Sequence, residues 1–362
     1  MSPETKNKIK QWFGCVRKTY NWTLASIKEN HHPIDRFWLR NRFVNSCNIP
    51  KKFRFLLDTP KHVREGAIDE LVDAYKINFQ KREQFEMKFR TKKKPQSIVI
   101  PHDAIKSYKN NTLSLYPTML PSTLKMYSKQ KINFNYDCRM LMDRMGRIYL
   151  SIPYRKEFSA SVCESQADTV ALDTGVRTFM TAYGIKDNKT VIMKFGDKDI
   201  TRIYRLCTFL DKLVAKQALV KKSSLKKAEH RLRKRIKNLV KDVLYKTAHW
   251  LCKNFSHIII PPFQTSQMVK RRQRAITKKT VRCMLTWSHY LFRQRLIMKA
   301  EEMGCKVHVL GEEYTTKTCT HCGFYNPKIK GEKVLVCPCC HVKVDRDVSG
   351  ARNILLKNIK AA

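Results

Sequence analysis

Apolar side chains recur at three- and four-residue steps in two stretches of the N-terminal half. They form one stripe from Lys6 to Lys28, and the same spacing returns from His62 to Phe79, after Pro60. This period is that of an amphipathic α-helix with one buried face. Thr59, directly before Pro60, is a residue type that caps helix starts. The pattern therefore predicts two helices, with Thr59 as the cap of the second.

The stretch that follows, up to about residue 154, contains short strand-like runs, and the first of them alternates apolar and charged positions. Such runs, bounded by turn residues, are typical of β-strands. Asp143 to Gly146 supplies a turn between the last two runs, which predicts a hairpin. The predicted strands are Phe85–Arg90, Ser97–Ile100, Thr112–Tyr116, Ile132–Phe134, Arg139–Met142 and Arg147–Ile152. A small β domain is expected here.

From residue 169 onward, apolar strands of the buried type alternate with longer helical patterns. The predicted strands are Thr169–Leu172, Phe179–Tyr183, Val191–Phe195, His257–Ile260 and Lys306–Leu310. The predicted helices are Ile200–Val220, Leu225–Phe255 and Thr280–Met303. Alternation of strands and helices indicates an α/β domain.

The net charge of the chain indicates the class of partner that it binds. Its 362 residues include 73 Lys and Arg against 30 Asp and Glu, a net charge of +43 spread over the whole length. Self-repulsion of this size disfavours a compact fold in isolation, whereas bound phosphates release counterions and give salt-dependent affinity. The charge predicts a nucleic-acid partner, and a merely soluble basic or ribosomal-type protein is the alternative. Without an apolar run of roughly 18–20 residues or a signal-peptide pattern after Met1, the sequence predicts an intracellular protein.

Five of the 13 cysteines lie within one short stretch, which favours metal binding over disulfides in a reducing compartment. Two CxxC pairs separated by 14 residues let four thiolates close around one tetrahedral Zn2+. Such a shell has no open position, so the ion would be structural. The expected zinc ligands are Cys319, Cys322, Cys337 and Cys340. The other donors nearby, among which a ligand swap stays conceivable, are Cys339, His321 and His341.

Two acidic residues stand where a carboxylate can reach a metal. Asp173 ends an apolar strand, and Gly175 permits a sharp turn directly after it. This pattern alone is weak, because acidic residues begin turns throughout proteins. Asp347 follows the cysteine stretch and precedes small residues that open a helix and allow close packing against a sheet. Asp345, two positions earlier, also lies within reach of the site; the family resemblance described below selects Asp347 as the metal ligand and leaves Asp345 to orient or pair with Arg346.

Together these motifs resemble the ending of TnpB nucleases and of their eukaryotic and viral relatives, the Fanzors, and the likeness covers nearly the whole chain. The other similar segments are Trp12-Phe13-Gly14 with Arg17, Pro60-Lys-His-Val-Arg64, Phe89-Arg90 with Lys92-Lys93, and Tyr314-Thr-Thr-Lys317-Thr-Cys319. The resemblance implies an α/β RuvC-like (RNase H-like) nuclease domain with an inserted zinc ribbon, plus an N-terminal β-barrel-like wedge domain carrying a helical recognition insert. The implied boundaries are 1–30 and 84–160 for the wedge domain, 31–83 for the insert, 165–318 and 341–362 for the nuclease domain, and 319–340 for the ribbon.

In the RuvC-like nucleases that the chain resembles, three acidic residues hold two Mg2+ ions about 3.5–4 Å apart. Asp173 and Asp347 match two of them. The third is usually a Glu after the strand that here ends at Pro261, where this chain has no carboxylate. Similarity to the Fanzor branch moves that role to Glu312, with Glu313 as the alternate. If both glutamates face solvent instead, the nuclease would be weak or inactive.

By the same resemblance, the protein is an RNA-guided DNA endonuclease of a transposable element. Its partners would be a guide RNA (omega RNA), bound one protein per RNA, and double-stranded target DNA, in the nucleus of a eukaryotic host or on behalf of a virus. The residues expected to contact nucleic acid are Arg17, Lys92, Lys93, Lys270, Arg271, Arg272, Arg274, Arg282, Trp287, His289, Arg293 and Lys317. Solvated charges and core aromatics are the alternative for these single residues. Two other functions stay open: RNA-guided DNA binding without cleavage, as a repressor or transposon accessory, and zinc-ribbon DNA binding without RNA.

Overall fold

A computed structural model describes residues 1–81, 84–126, 128, 132–155, 168–220, 222–270, 276–329 and 332–359. The chain divides into two compact units, 1–156 and 157–362. The four-part division suggested by the resemblance stays a prediction. In the part of the chain that the structure describes, no helix combines the length and the apolar character needed to cross a membrane.

Among its described residues, the first unit contains three helices and six strands. The helices are α1 (Pro3–Asn30), α2 (Arg36–Val44) and α3 (Lys61–Gln80), and 3-10 turns lie at Ser46–Asn48, Lys51–Asp58 and His102–Ala104. The strands are β1 (Gln96–Ile100), β2 (Ile105–Lys109), β3 (Thr112–Leu115), β4 (Leu124–Lys125), β5 (Cys138–Met142) and β6 (Ile148–Ser151). They form two antiparallel sheets, with the orders β1-β5-β6 and β2-β3-β4.

The two amphipathic helices predicted for this unit are confirmed as α1 and α3. Ser2 caps α1, because its Oγ accepts a hydrogen bond from the Thr5 N–H, and Pro3 occupies the first turn. The buried faces of α1 and α3 form one apolar core with the sheets. The predicted cap of α3 is wrong: Pro60 stands at that position, and no side chain caps this helix start. The preceding Thr59 is buried.

The hairpin β5–β6 and strands β1 and β3 are confirmed, but two predicted strands of this unit are wrong. Residues 85–90 are not a strand, because the side chain of Asn21 on α1 bonds both the N–H and the carbonyl of Arg90, at 2.8 and 2.9 Å. Phe85 in turn packs edge-on against Phe79. Residues 132–134 are also irregular, whereas β2 and β4 escaped the sequence analysis.

The part of the second unit that the structure describes contains seven strands and six helices. Its strands are β7 (Thr169–Thr174), β8 (Met180–Lys186), β9 (Lys189–Phe195), β10 (His257–Ile260), β11 (Lys306–Val309), β12 (Val334–Val336) and β13 (Lys343–Asp345). Its helices are α4 (Asp199–Leu219), α5 (Ser223–Asn254), α6 (Thr265–Met268), α7 (Lys278–Trp287), α8 (His289–Met303) and α9 (Arg346–Asn358). The five strands predicted for this unit are therefore confirmed as β7 to β11, and the first two predicted helices as α4 and α5.

Five of these strands form one sheet in the order β11-β10-β7-β8-β9, in which only β8 is antiparallel to the others. This order is that of an RNase H-like sheet. Strand alternation directs Val170, Leu172 and Ile258 into the core formed with α5 and α8. Ala171 and Ile259 point to the other face, against Ile354 and Leu355 of α9. The carboxyl ends of the parallel strands β7, β10 and β11 meet at one edge.

The single long helix predicted after residue 280 is wrong, because the chain breaks between α7 and α8. Ser288 adopts a left-handed conformation with φ of 55°. Trp287 and His289 on either side of it are both buried against Phe179, with ring centroids 5.0 and 5.2 Å away. Residues two positions apart in one helix point about 200° apart, that is, to opposite sides, so the break lets both rings reach the same neighbour.

Candidate active site and cysteine module

Asp173 lies near the carboxyl end of β7 and is half-buried, directly after the fully buried Leu172. The turn that follows requires glycine at position 175 for a steric reason. A Cβ at Gly175 would lie 2.4 Å from the carbonyl oxygen of Thr178, a backbone atom that cannot move aside. The turn thereby ends β7 at the sheet edge and leaves the Asp173 carboxylate there.

Asp347 lies in the first turn of α9, and the residues beside it fix the start of that helix. The Oδ1 atom of Asp345 accepts hydrogen bonds from the N–H groups of Asp347 and Val348, at 3.1 and 3.2 Å. Its Oδ2 atom forms an ion pair of 2.7 Å with Lys194 of β9. These contacts replace the predicted pairing of Asp345 with Arg346, and Arg346 forms an ion pair with Asp347 at 3.2 Å.

Close packing of α9 on β7 brings the first two acids together. Gly350 lies one turn after Asp347, and a Cβ there would be 3.2 Å from Oδ2 of Asp173 and 3.4 Å from its Cγ. The small side chains of Ser349 and Ala351 flank it, and both residues are buried. The run of small residues that the sequence analysis noted is therefore where the helix backbone meets the Asp173 carboxylate.

We expect Gly350→Val to destabilise the second unit. Its branched side chain would overlap the Asp173 carboxylate, and overpacking of this kind costs about 1–3 kcal/mol. For a unit of this size that lowers the melting temperature by roughly 2–4 °C per kcal/mol. Gly14→Ala on α1 is the control, because the nearest atom to its Cβ would be 4.0 Å away. Equal melting curves for wild type and Gly350→Val would contradict the tight contact.

Glu312 and Glu313 occupy different environments in the turn after β11. The carbonyl of Glu312 accepts hydrogen bonds from the N–H and the hydroxyl of Thr315, at 3.3 and 2.7 Å, and its side chain is half-buried. Glu313 is exposed and forms an ion pair of 2.7 Å with Lys357 of α9. The different environments of the two glutamates do not result from side chains alternating along a strand, because β11 ends at Val309, before either glutamate.

The three carboxylates Asp173, Glu312 and Asp347 share one electrostatic site. Burial, followed by the charges of Asp347 and Glu312, raises the pKa of Asp173 to about 8, while Arg346 and the N–H of Thr174 act in the opposite direction. Burial and the neighbouring Glu313 raise the pKa of Glu312. The ion pair with Lys357 instead lowers the pKa of Glu313. Glu312, and not Glu313, is therefore the glutamate whose charge acts on Asp173.

Concentrated, partly desolvated negative charge of this kind fits a divalent cation. Carboxylate oxygens are the ligands that Mg2+ prefers, and Mg2+ usually binds through one or two carboxylates plus water and phosphate. The ligand oxygens of all three acids do not lie within 4.8 Å of one another, as those of a single-ion cluster would. With two ions, each acid could bind a metal although the ligand oxygens of the three acids are not all close together. Asp173, Glu312 and Asp347 are the residues that would hold them.

The raised pKa of Asp173 predicts a pH-dependent stability in the absence of divalent ions. The folded chain keeps a proton on Asp173 up to about pH 8, whereas the unfolded chain releases it near its ordinary pKa of 3.8. Stability contributed by this group therefore falls as the pH rises between these two values. We expect Asp173→Asn to melt several degrees above wild type at pH 8 in EDTA, and the difference to shrink at pH 5. Asp242→Asn, on an exposed face of α5, is the control, and equal pH profiles for wild type and Asp173→Asn would refute the assignment.

The four cysteines named by the sequence analysis meet in the segment 319–345, here called the cysteine module. Their sulfur atoms all lie within 4.8 Å of one another, and two of the Sγ–Sγ distances are 3.7 Å (Cys319–Cys340) and 3.6 Å (Cys322–Cys337). A tetrahedron with zinc–sulfur bonds of about 2.3 Å has edges of roughly 3.8 Å, whereas a disulfide bond measures about 2.05 Å. The cluster could therefore hold Zn2+.

The backbone of the cysteine module supports the same ligand set. The N–H groups of Cys340 and Cys339 lower the pKa of Cys337 to about 6, which favours the thiolate that a metal needs. Gly323, with φ of 76°, turns the chain after the first CxxC pair, and strands β12 and β13 form the hairpin of the second. The remaining donors in this stretch, all exposed and outside the cluster, are Cys339, His321 and His341.

The residues predicted to contact nucleic acid fall into different environments. Lys92, Lys93 and Lys270 are exposed, whereas Arg271, Arg272 and Arg274 lie outside the described residues. Lys317 is half-buried beside the cysteine module. Three arginines bind partners within the chain: Arg17 bonds Gln96 at 2.6 Å, Arg282 pairs with Asp211 at 2.9 Å, and Arg293 bonds the Pro262 carbonyl at 2.8 Å.

Trp287 and His289 are core residues of the second unit, which corrects their assignment as nucleic-acid contacts. Trp287 is 0% exposed, and its Nε1–H donates to the carbonyl of Val176 at 3.1 Å. His289 is 5% exposed, and burial lowers its pKa to about 4, so the ring is neutral at physiological pH. Aromatic composition alone could not separate these two residues from exposed stacking residues.

The second unit contains an RNase H-like sheet with carboxylates at one edge, and a four-cysteine module that lies directly before the last helix, α9, in the chain. These two features define the class of this chain. Two family models match it: "Cas12f1-like, TNB domain" over residues 289–354, and "Helix-turn-helix domain" over residues 2–32, which here form the single helix α1. The chain belongs to the TnpB-like transposase family.

Relatives from viruses and bacteria match almost the whole chain. "Putative transposase A625R" of Paramecium bursaria Chlorella virus 1 is 27% identical over 98% of this chain and 84% of its own length. TnpB-like protein L770 of Acanthamoeba polyphaga mimivirus is 26% identical, over 99% and 71%. "Putative RNA-guided DNA endonuclease InsQ" of Escherichia coli is 24% identical, over 96% and 87%. A Cas12f1–sgRNA–target DNA complex aligns over 96% of this chain and 94% of its own, with 13% identity and a TM-score of 0.39.

Proposed function

We propose that this protein is an RNA-guided DNA endonuclease that hydrolyses phosphodiester bonds with Asp173, Glu312 and Asp347. The observation that carries the proposal is the place of Asp173 at one edge of an RNase H-like sheet, where the charges of Asp347 and Glu312 both act on it. Relatives that match nearly the full length of the chain, InsQ among them, bear names of this activity. The net charge of +43 supplies the affinity for nucleic acid that such a function needs.

In the proposed mechanism each acid has a role set by its position. Asp173, Asp347 and Glu312 would hold two Mg2+ ions, and the chemistry that these would supply is activation of the attacking water and stabilisation of the leaving oxygen of the phosphodiester. Asp173, on which the charges of both other acids act, would be the central ligand. Asp347 is held by the cap of α9, and Glu312 by the turn closed through Thr315. Arg346, paired with Asp347 at 3.2 Å, is placed beside the acids, where it would contact a bound phosphate.

The position of the third acid supports a place in the Fanzor branch. Strand β10 ends at Ile260 and is followed by Pro261 and Pro262, with no carboxylate there. Its parallel neighbour β11 ends at the same edge and leads directly to Glu312. Viral relatives of the chain, from a chlorella virus and a mimivirus, accord with this branch. Action in a eukaryotic nucleus, or on behalf of a virus, is part of the proposal.

Base pairing of a guide RNA with one target strand would supply sequence specificity, while the protein holds the heteroduplex mainly through its backbone. The first unit would then serve as the wedge domain with its helical insert, and one protein would bind one RNA. The cysteine module, carrying one structural Zn2+, would help to place the displaced strand at the acids. The module directly precedes α9 in the chain, and α9 carries Asp347.

The experiment that tests this function is cleavage of a plasmid library by protein coexpressed with its flanking noncoding DNA. We expect copurified RNA and cutting at guide-matched sites that requires Mg2+ and stops in EDTA. Nuclease-treated protein should lose both specific binding and cutting. Guide-dependent binding without cutting would instead identify a DNA-binding repressor or transposon accessory. Sequence-specific binding of duplex DNA by RNA-free protein would refute the RNA-guided function, whereas non-specific binding is expected from the net charge alone.

A further inference from the structure

A cavity of about 800 Å3 opens beside the proposed catalytic acids within the second unit. Arg346 and Asp347 form part of its wall on one side, together with the turn after β7. Helices α4 and α7 form the opposite side, through Tyr204 and Lys279. Pockets that enclose small organic molecules measure about 300–1,000 Å3. The cavity is therefore large enough for a nucleotide next to a phosphate held at the acids.

The walls of the cavity suit a whole nucleotide, with apolar side chains for its base and cations for its phosphate. Ile200, Phe263 and Met284 make much of the lining apolar, and Arg177, Lys279 and Arg346 also line the cavity. A planar aromatic base gains from contact with apolar and aromatic side chains. Arg346 and Asp347 belong to the same lining, so the sugar–phosphate backbone would occupy the part of the cavity beside these two residues.

Tyr204 is the side chain best suited to hold such a base. Its ring is half-buried on α4, and the Nζ atom of Lys279 lies 4.9 Å from the ring centroid. Stacking of a base on an aromatic ring is the stronger contact, because a cation–π contact at an exposed site is weak. Lys279 is exposed and flexible, so a base can take its place over the ring while the ammonium group contacts a phosphate of the same strand.

We propose that this cavity binds one unstacked nucleobase of the DNA strand being cut, next to the scissile phosphate, with Tyr204 as the stacking platform. The inference rests on the proposed nuclease function for the identity of the strand. It adds a binding site that reads the presence of a base at one position beside the cut. Sequence analysis could not find it, because Tyr204, Lys279 and Asp347 lie far apart along the chain.

The test uses the protein–guide complex carrying Asp173→Asn, so that the strand stays intact, and single-stranded DNA with 2-aminopurine at one position at a time. We expect strong quenching of the fluorescence at one position. Tyr204→Ala should restore the fluorescence there at least about fivefold, and Tyr204→Phe, which keeps the ring, should not. Tyr245→Ala is the matched control, because Tyr245 also lies under a cation, Arg295, but on α5 and outside the cavity. Thr201→Trp, an exposed position at the cavity wall, should block the quenching without removing Tyr204.

A second arm measures cleavage by the active complex on strands that carry a single abasic residue. An abasic residue at the quenched position should slow cutting by wild type and by Tyr204→Phe, and should make no difference to Tyr204→Ala. Uniform abasic profiles with normal cutting would overturn the cavity proposal and leave the nuclease function intact. Position-specific quenching in a complex that never cuts would support the cavity proposal and overturn the nuclease function. Quenching that survives both Tyr204→Ala and Thr201→Trp would also overturn the cavity proposal.

Discussion

Asp173→Asn is expected to lower guide-dependent DNA cleavage by about three orders of magnitude or more. The substitution removes the central negative charge of the site, and ions at such a site supply several kcal/mol of transition-state stabilisation, with each 1.36 kcal/mol worth a factor of ten in rate. Because the asparagine side chain has nearly the same shape, DNA binding should persist. Gel-shift and cleavage assays on the same guide-loaded preparation separate the two effects. Cleavage within tenfold of wild type would remove Asp173 from the mechanism.

The neighbouring glutamates provide a matched pair for the same assay. Glu312→Gln should abolish cutting to a similar extent, because Glu312 is half-buried and its charge acts on Asp173. Glu313→Gln removes only an exposed ion pair with Lys357 and should retain most of the activity. The reverse ranking of these two variants would assign the third acid to Glu313. Equal activity of both variants and wild type would leave the site with two acids.

Cys337→Ser is expected to unfold the cysteine module and to release its metal. A segment this short cannot bury enough apolar surface to fold by itself, and metal binding supplies about 10–16 kcal/mol in small zinc domains. The zinc content of purified protein should fall from about one ion per chain towards zero, and amide hydrogen exchange should rise across residues 319–345. Cleavage should fall as well, because Asp345 at the end of β13 caps the helix that carries Asp347.

Cys339→Ser is the control for this experiment. Cys339 lies within the same CxxC pair but is exposed and outside the cluster of four sulfurs. The zinc content of the Cys339→Ser variant and its protection from amide hydrogen exchange should match those of wild type. Loss of zinc in Cys339→Ser, with zinc retained in Cys337→Ser, would show that the ligand set differs from the one assigned here.

Much of the fold could be predicted where neighbouring residues in sequence decide the structure. The apolar stripe of α1, the α4–α5 hairpin and the strands β7 to β9 follow from periodicity and turn residues alone. The predictions that were wrong concern segments whose structure depends on residues far away in the sequence. Asn21 of α1 takes the backbone hydrogen bonds of Arg90, so an alternating segment forms no strand. Likewise, the burial of Trp287 and His289 against Phe179 breaks a helix that its own sequence would continue.

The candidate site shows the same division. The cysteine spacing predicted a cluster that the structure assembles, since closely spaced ligands need little help from the rest of the chain. The choice between Glu312 and Glu313 depended on a resemblance, and the structure distinguishes the two through Lys357, a residue on another element. Roles of single cations could not be predicted at all. Arg282 and Arg293 look like nucleic-acid contacts in sequence, yet each bonds a group within the chain.

Parallel strands that end at one edge make an active-site acid transferable between them during evolution. In this chain β10 is followed by two prolines, and the adjacent β11 leads to Glu312. A lineage that gains a carboxylate after the second strand can lose the one after the first without rebuilding the sheet. Intermediates with acids at both positions would stay active throughout the exchange. Alignments that demand the same column for each catalytic residue would therefore mistake such a chain for a dead relative.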